Sequence, residues 1–319
     1  MFSLASYKTV YDVGQVQQRL QKVTPEQDGA LRKTYERMIE AGGQRLALKP
    51  VHVPAAQALT EELPNFAEPI EHVLRALALA CASSDPVEVT PMLLLGDPGI
   101  GKTHFARRIA ELLGTRHQLV PMNALTAGWV LSGASSQWKG SKPGKVFEAL
   151  VDGEYANPVV VLDEIDKAAA RAQYDPLGAL YSLLEHDTAQ AFTDEYSEVA
   201  LDCSAIVWVA TANDASSIPE PILNRMDVFE VPSPDEAGCR SIARKLYEEA
   251  RSAHDWGRHF EPELREGTLS ALAAMGPREM RRTLASAFGA ARLAGRDHLL
   301  EVDLKRPALK ASRGIGFLV

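Results

Sequence analysis

Hydrophobic patterning divides the 319-residue chain into three regions. Up to about residue 60 the pattern is helical. Thr24-Pro25 followed by Gln27 has the form of a capping box, Gly42-Gly43 a stop, and Leu31, Tyr35, Met38 and Ile39 fall on one face. That stripe must be buried against its own domain or a neighbouring subunit. From 61 to 232 short apolar runs alternate with helical segments. "PMLLLG" leads into a helix over 102–113, whose inner face carries Phe105, Ile109, Leu112 and Leu113 before a stop at Gly114. "PVVVLD" (158–163) and "AIVWVAT" (205–211) are nearly continuous apolar runs, which suit strands buried on both faces of a parallel sheet. From 233 onward the pattern is helical again. Ser233, Pro234 and Glu236 are read as the cap, first turn and completed box of a new helix. The expected organisation is an N-terminal helical extension (1–60), an α/β domain with right-handed crossovers (61–232) and an all-helical C-terminal domain (233–319).

Charge and cysteine usage narrow the class. Forty-two acidic against 34 basic residues give a net charge of −8, which stands against general attraction to nucleic acid. Cys81, Cys203 and Cys239 form no CxxC pair, so buried thiols in a reducing compartment are expected rather than disulfides or zinc. The opening residues lack a signal-peptide pattern, and no run approaches ~20 apolar residues. A cytoplasmic protein with no membrane span is expected. The Ala- and Arg-rich character points to a bacterial source.

The chemistry concentrates at "GDPGIGKT" (96–103), a complete G-x-x-x-x-G-K-[ST] loop between an apolar strand and an amphipathic helix. Gly96, Gly99 and Gly101 allow backbone N–H groups to turn toward phosphates, and the helix N-terminus adds positive potential. Lys102 is the expected phosphate ligand and Thr103 the Mg²⁺ ligand. The nucleotide-binding stretch is taken as Gly96, Asp97, Pro98, Gly99, Ile100, Gly101, Lys102, Thr103 and His104. "VVVLDEID" (159–166) puts Asp163 and Glu164 at the carboxyl end of a buried strand. Asp163 is read as a Mg²⁺-shell carboxylate and Glu164 as the base acting on the attacking water. Asn213 follows another buried strand, where it is either a reader of the nucleotide or a turn residue.

In order and spacing, the P-loop, "VVVLDE", "ATAND", "PILNRMDVFEVPSP" and "MGPREMRR" resemble an AAA+ ATPase module. More narrowly, "WKGSKPGKVFEAL" and "SIPEPILNRMDVFEV" resemble the ATPase module of the Lon family, over about residues 60–310. The resemblance implies a P-loop AAA+ parallel sheet flanked by helices, followed by a small helical lid. It implies ATP and Mg²⁺ as cofactors, and a homo-oligomer, usually a hexameric ring. It makes Asn213 the sensor-1 residue, Arg225 an arginine finger acting on the neighbouring subunit and Arg278 the sensor-2 arginine. Asn65, Phe66 and Ile242 are placed at the adenine, although a core role explains Phe66 and Ile242 almost equally well.

The same resemblance places Trp138, Lys139 and Gly140 in a loop projecting into a central channel to grip a polypeptide. Lys139 stands where an apolar residue is usual, and Lys142 and Lys145 add positive charge. The alternative is that Trp138 packs on its own domain or in a subunit interface. No G-x-S-x-G, Ser-Lys pairing or H-E-x-x-H occurs in a fitting context. The expectation is therefore an ATPase that remodels, unfolds or translocates a protein partner without protease activity of its own. Two other readings are an ATP-dependent assembly switch and a nucleic-acid-associated remodeller.

Overall fold

Apolar segments without a polar face have to be covered on both sides, and this requirement builds the central sheet. The computed structural model describes residues 2–124, 128–138, 140–168 and 175–304. Its strands are β1 (Phe2–Thr9), β2 (Gln44–Pro50), β3 (Met92–Leu95), β4 (His117–Pro121), β5 (Val159–Asp163), β6 (Phe192–Thr193), β7 (Ala200–Leu201), β8 (Val207–Ala212) and β9 (Asp227–Glu230). Five of them form a parallel sheet in the order β4-β5-β8-β3-β9, while β1 pairs with β2 and β6 with β7, each antiparallel. The central strands β3, β5 and β8 are the three apolar runs of the sequence and are buried along nearly their whole length. Edge strands β4 and β9 are largely exposed and read "HQLVP" and "DVFE", which explains why periodicity did not single them out.

The chain divides into two compact units. The first comprises the chain up to Thr60, Phe66–Pro98 and Lys102–Ser233; the second comprises Glu61–Asn65, Gly99–Gly101 and the chain from Pro234 on. In the first unit, helix Lys102–Leu113 turns Phe105, Ile109 and Leu113 inward, with Leu112 half-buried, and stops at Gly114. The first 60 residues contribute to this core. Leu31, Tyr35 and Met38 of helix Pro25–Ala41 join the same apolar cluster as Phe147, Leu162 and Trp208. The segment is also less helical than its periodicity suggested, since β1 and β2 flank helices Val13–Leu20 and Pro25–Ala41.

Three polar side chains tie that segment down. The buried Arg45 donates to the carbonyls of Leu150 and Val151 at the end of helix Lys145–Leu150, at 2.8 and 2.7 Å. Lys49 donates to the carbonyls of Ala80, Ser83 and Asp85 at 2.6–2.9 Å, just past helix Ala67–Cys81. Both cations meet carbonyls at a helix C-terminus, where the unsatisfied acceptors and the dipole favour positive charge. Asn157 accepts from the Leu48 N–H and donates to its carbonyl, standing in for a strand partner of β2.

Helix Pro25–Ala41 starts directly after Thr24 and kinks at Asp28, whose carboxylate accepts from the Leu31 N–H at 2.9 Å. One cap differs from its sequence reading. In the second unit, helix Glu236–Ser252 is capped by Asp235, whose carboxylate accepts from the Gly238 N–H at 2.7 Å. A carboxylate is the stronger partner for the positive helix end, and Ser233 lies two residues too far out once Pro234 extends the chain. The second unit buries Tyr247, Phe260, Met280 and Phe288 among helices Glu236–Ser252, Glu266–Ala273 and Pro277–Leu293. All three cysteines are free; Cys203 is buried, while Cys81 and Cys239 are half-buried. Among the described residues no helix is long and apolar enough to cross a membrane.

Substituting Lys49→Met removes the donor to three carbonyls while keeping the aliphatic stem. It is expected to lower stability by about 2 kcal/mol, read as a lower urea midpoint. An unchanged midpoint would show that Lys49 does not hold the segment.

Candidate functional site

Strand β3 is followed in sequence by β4, yet the two are separated in the sheet by β8 and β5. The connection leaving β3 therefore runs opposite to β9, and such a switch point opens a crevice at the carboxyl ends of the strands. Gly96, Glu164 and Asn213 are the residues that directly follow β3, β5 and β8. Parallel register thus gathers, at one edge, groups far apart in the chain.

The P-loop backbone takes left-handed φ values of 88° at Gly99 and 109° at Gly101, which a side chain would strain. Lys102 is 8% exposed, and its ammonium donates to the carbonyls of Gly96 (2.6 Å) and Asp97 (3.0 Å) and to Asn213 Oδ1 (3.1 Å). Burial lowers its pKa, opposed by the carboxylates of Asp166, Asp163, Asp97 and Glu164. Three acceptors occupy its three N–H groups, so anionic oxygens of a ligand would replace existing partners rather than meet an empty cation.

The carboxylates are built around Thr211. Its hydroxyl donates to Asp163 Oδ1 at 2.7 Å and accepts from the Glu164 N–H at 3.0 Å. Thr103 donates to the same Asp163 oxygen at 3.0 Å. Glu164 has φ 56° and ψ 50°, an uncommon backbone for a non-glycine residue, which turns the chain sharply as it leaves β5. Its carboxylate accepts from Asn123 and Lys167. Asp166 Oδ2 accepts from the N–H groups of Asn213 (3.0 Å) and Asp214 (3.3 Å), while Asp166 Oδ1 is buried with no hydrogen-bond partner among the described residues.

Lys102, Thr103, Asp163, Glu164 and Asn213, chosen from sequence, are therefore brought together. Asn123, Thr211 and Asp166 were missed. A polar Thr211 closing a buried apolar strand was a usable signal, and Asp166 lay inside the quoted motif. Asn123 carried none. Asp97 accepts from Ser233 Oγ at 3.3 Å, and half-buried His104 lies beside Arg107 on the outer helix. In the second unit, Asn65 donates to the Ile100 carbonyl at 3.4 Å. There too a β-carbon on Gly99 would come within 3.3 Å of the Arg278 β-carbon. Ile242 packs on the second unit's core.

Phe66 and Arg225 make their contacts outside this cluster. Phe66 is 0% exposed and stacks on Phe105 with centroids 5.0 Å apart, the packing role that its sequence reading left open. Arg225 is engaged away from Lys102, donating to the Pro221 carbonyl (2.6 Å) and pairing with Glu185 (3.4 Å).

The donor set fits a nucleoside triphosphate. Glycine-shaped main chain, a helix N-terminus and a buried ammonium suit polyphosphate, and the hard oxygens of Thr103 and Asp163 suit Mg²⁺. Trp138 stands apart on its loop at 57% exposure, its ring 6.1 Å from that of Trp129. Gly140, at φ 83°, has open space around it. Lys139 lies outside the described residues. Lys145 is paired with Glu148.

Comparison with known proteins agrees with this geometry. Residues 92–232 match the family "ATPase family associated with various cellular activities (AAA)". Lon protease 2 of Sorangium cellulosum is 34% identical over 164 residues, covering 51% of this chain and 20% of that protein. Lon protease of Clostridium beijerinckii is 30% identical over 199 residues, covering 62% and 25%. The matched segment thus spans a quarter or less of these relatives. Among solved structures, the extended-conformation Hsp104:casein complex of S. cerevisiae superposes with a TM-score of 0.62 at 19% identity, over 78% of this chain and 50% of that one, a likeness of fold. Residues 92–232 are an AAA ATPase domain, in a chain that resembles the ATPase module of the Lon proteases.

Proposed function

We propose that this chain hydrolyses ATP within a homo-oligomeric ring, hexameric as in the family it resembles, and uses the cycle to remodel, unfold or translocate a polypeptide. ATP supplies the phosphoanhydride bond whose hydrolysis drives the work, and Mg²⁺, held by Thr103 and Asp163, supplies charge neutralisation. Lys102 binds phosphate oxygens. Glu164, pointed by Asn123 and by the turn after β5, accepts a proton from water. Asn213 is held by Asp166 on one side and Lys102 on the other, so it orients groups at the γ-phosphate end. Arg225 serves the site of the adjacent subunit, and Arg278, beside Gly99, serves its own.

The observation that carries the polypeptide reading is Trp138. A large aromatic with more than half its surface exposed, beside Trp129 on a loop that also carries the left-handed Gly140, offers apolar area for grip. The named relatives are proteases, whose substrates are polypeptides. Nucleic acid is disfavoured by the net charge of −8.

Trp138→Ala should abolish the stimulation of ATP turnover by an unfolded polypeptide, with turnover in its absence as the control. Parallel loss of both would assign Trp138 a structural role. Arg225→Ala should bind ATP normally and lose turnover on the order of 10³-fold or more. Near-normal turnover would remove Arg225 from the active site. Thr211→Val, isosteric but without the hydroxyl, should reduce turnover by about tenfold or more with little change in nucleotide affinity, because Asp163 and Glu164 both lose their locator. Unchanged turnover would show that the carboxylates do not depend on it.

A further inference from the structure

The loop that carries Trp138 is exposed at its tip and closed at its neck. The closure comes from elsewhere in the chain. Asp194, in the turn between β6 and β7, is 0% exposed. Its Oδ2 accepts from the Gly144 N–H at 2.9 Å and its Oδ1 from the Ser197 N–H at 2.9 Å. Burial pushes its carboxyl above the usual range, and these N–H donors pull it back toward the charged form. On the other side of the neck, the Glu195 N–H donates to the Ser132 carbonyl at 2.6 Å, and Ser132 Oγ donates to Glu195 at 2.9 Å. The two limbs meet where Ala134 N–H donates to the Lys142 carbonyl at 3.1 Å.

Close packing enforces the arrangement. A β-carbon on Gly133 would come within 2.6 Å of Asp194 Oδ2, and one on Gly144 within 2.1 Å of the Leu131 carbonyl oxygen. Only glycine lets the two limbs approach the carboxylate this closely. The turn that presents Asp194 is itself gripped by the N-terminal segment. Tyr35, buried on helix Pro25–Ala41, donates its hydroxyl to the Ser197 carbonyl at 2.8 Å, and Arg19 pairs with Glu198 at 2.7 Å.

We infer that Asp194 is the positioning residue of the Trp138 loop, and that helix Pro25–Ala41 supports the loop through Tyr35 and Ser197. A carboxylate that accepts backbone N–H groups from both the loop neck and its own turn fixes where the loop leaves the domain. It thereby sets the direction in which Trp138 projects. The inference rests on the polypeptide-gripping reading for its functional consequence and on geometry alone for its structural part. It gives the first 60 residues a role in substrate engagement, transmitted entirely within the first unit.

The test uses the full chain with Asp194→Asn, which keeps the size but replaces one acceptor by a donor facing an N–H, and Tyr35→Phe, which removes only the hydroxyl. Hydrogen exchange at the Gly144 amide should rise about tenfold in Asp194→Asn and by about twofold to fivefold in Tyr35→Phe. With casein as the polypeptide probe, the concentration giving half-maximal stimulation of ATP turnover should rise several-fold, in the same order, by about the same factors. Turnover without casein should stay within about twofold, because none of the neck hydrogen bonds given above reaches the nucleotide cluster. Unchanged exchange at Gly144 in both variants overturns the inference. So does a parallel fall of turnover with and without casein, which would mark Asp194 as a general structural residue. If Trp138→Ala leaves casein stimulation intact, the polypeptide reading has failed, and acrylamide quenching of Trp138 fluorescence decides the positioning role. Altered quenching in Asp194→Asn supports it, and unaltered quenching overturns it.

Discussion

The site depends on one electrostatic constraint, a buried ammonium that has to be balanced. Lys102 is removed from water, and desolvation disfavours its charge, while Asp166, Asp163, Asp97 and Glu164 act to restore it. Their side chains can gather there because β3, β5 and β8 are parallel and in register, so their carboxyl ends and the residues just after them stand together. Reversing any one of these strands would carry its chemistry to the opposite edge of the sheet. Thr211, last but one in β8, converts this rough proximity into fixed geometry, because one hydroxyl locates both the Asp163 carboxylate and the Glu164 main chain. The left-handed backbone of Glu164 then aims its carboxylate toward Asn123 and Lys167. A non-glycine residue held in that conformation stores strain, which is tolerated where surrounding bonds over-determine it.

A second set of contacts links the periphery of the first unit to its aromatic loop. Tyr35, Ser197 and Asp194 form a continuous path from helix Pro25–Ala41 to the neck of the loop, each step a hydrogen bond between 2.8 and 2.9 Å. Arg45 and Lys49 anchor the same N-terminal segment at two helix ends. The segment is therefore part of the first unit's packing, and its contacts reach the base of the loop, while a β-carbon at Gly140 would meet nothing within 4 Å.

Much of this was legible in the sequence where a physical requirement left few solutions. The three central strands were visible because burial on both faces demands unbroken apolar runs, and the P-loop because glycines, lysine and threonine at fixed spacing serve one purpose. Strands β4 and β9 escaped because edge strands satisfy no such demand. The cap of helix Glu236–Ser252 was misplaced by two residues because Ser233 and Asp235 both satisfy the capping rule, and only the backbone path after Pro234 separates them. Asn123 and Asp194 were invisible for another reason. Each acts through one long-range contact, and no periodicity or motif in its own neighbourhood reports it.

Arg225 engages Glu185 and the Pro221 carbonyl, away from the lysine and carboxylate cluster of its own subunit. On the proposed function, ATP hydrolysis is a property of two adjacent protomers. The direct measurement is subunit mixing. Arg225→Ala and Glu164→Gln proteins, each inactive alone, are combined in equal amounts and ATP turnover is recorded. Turnover that appears on mixing, at interfaces where an intact Arg225 faces an intact Glu164, is the predicted result. Turnover that stays at the level of the separate variants, although the subunits demonstrably exchange, would contradict the account.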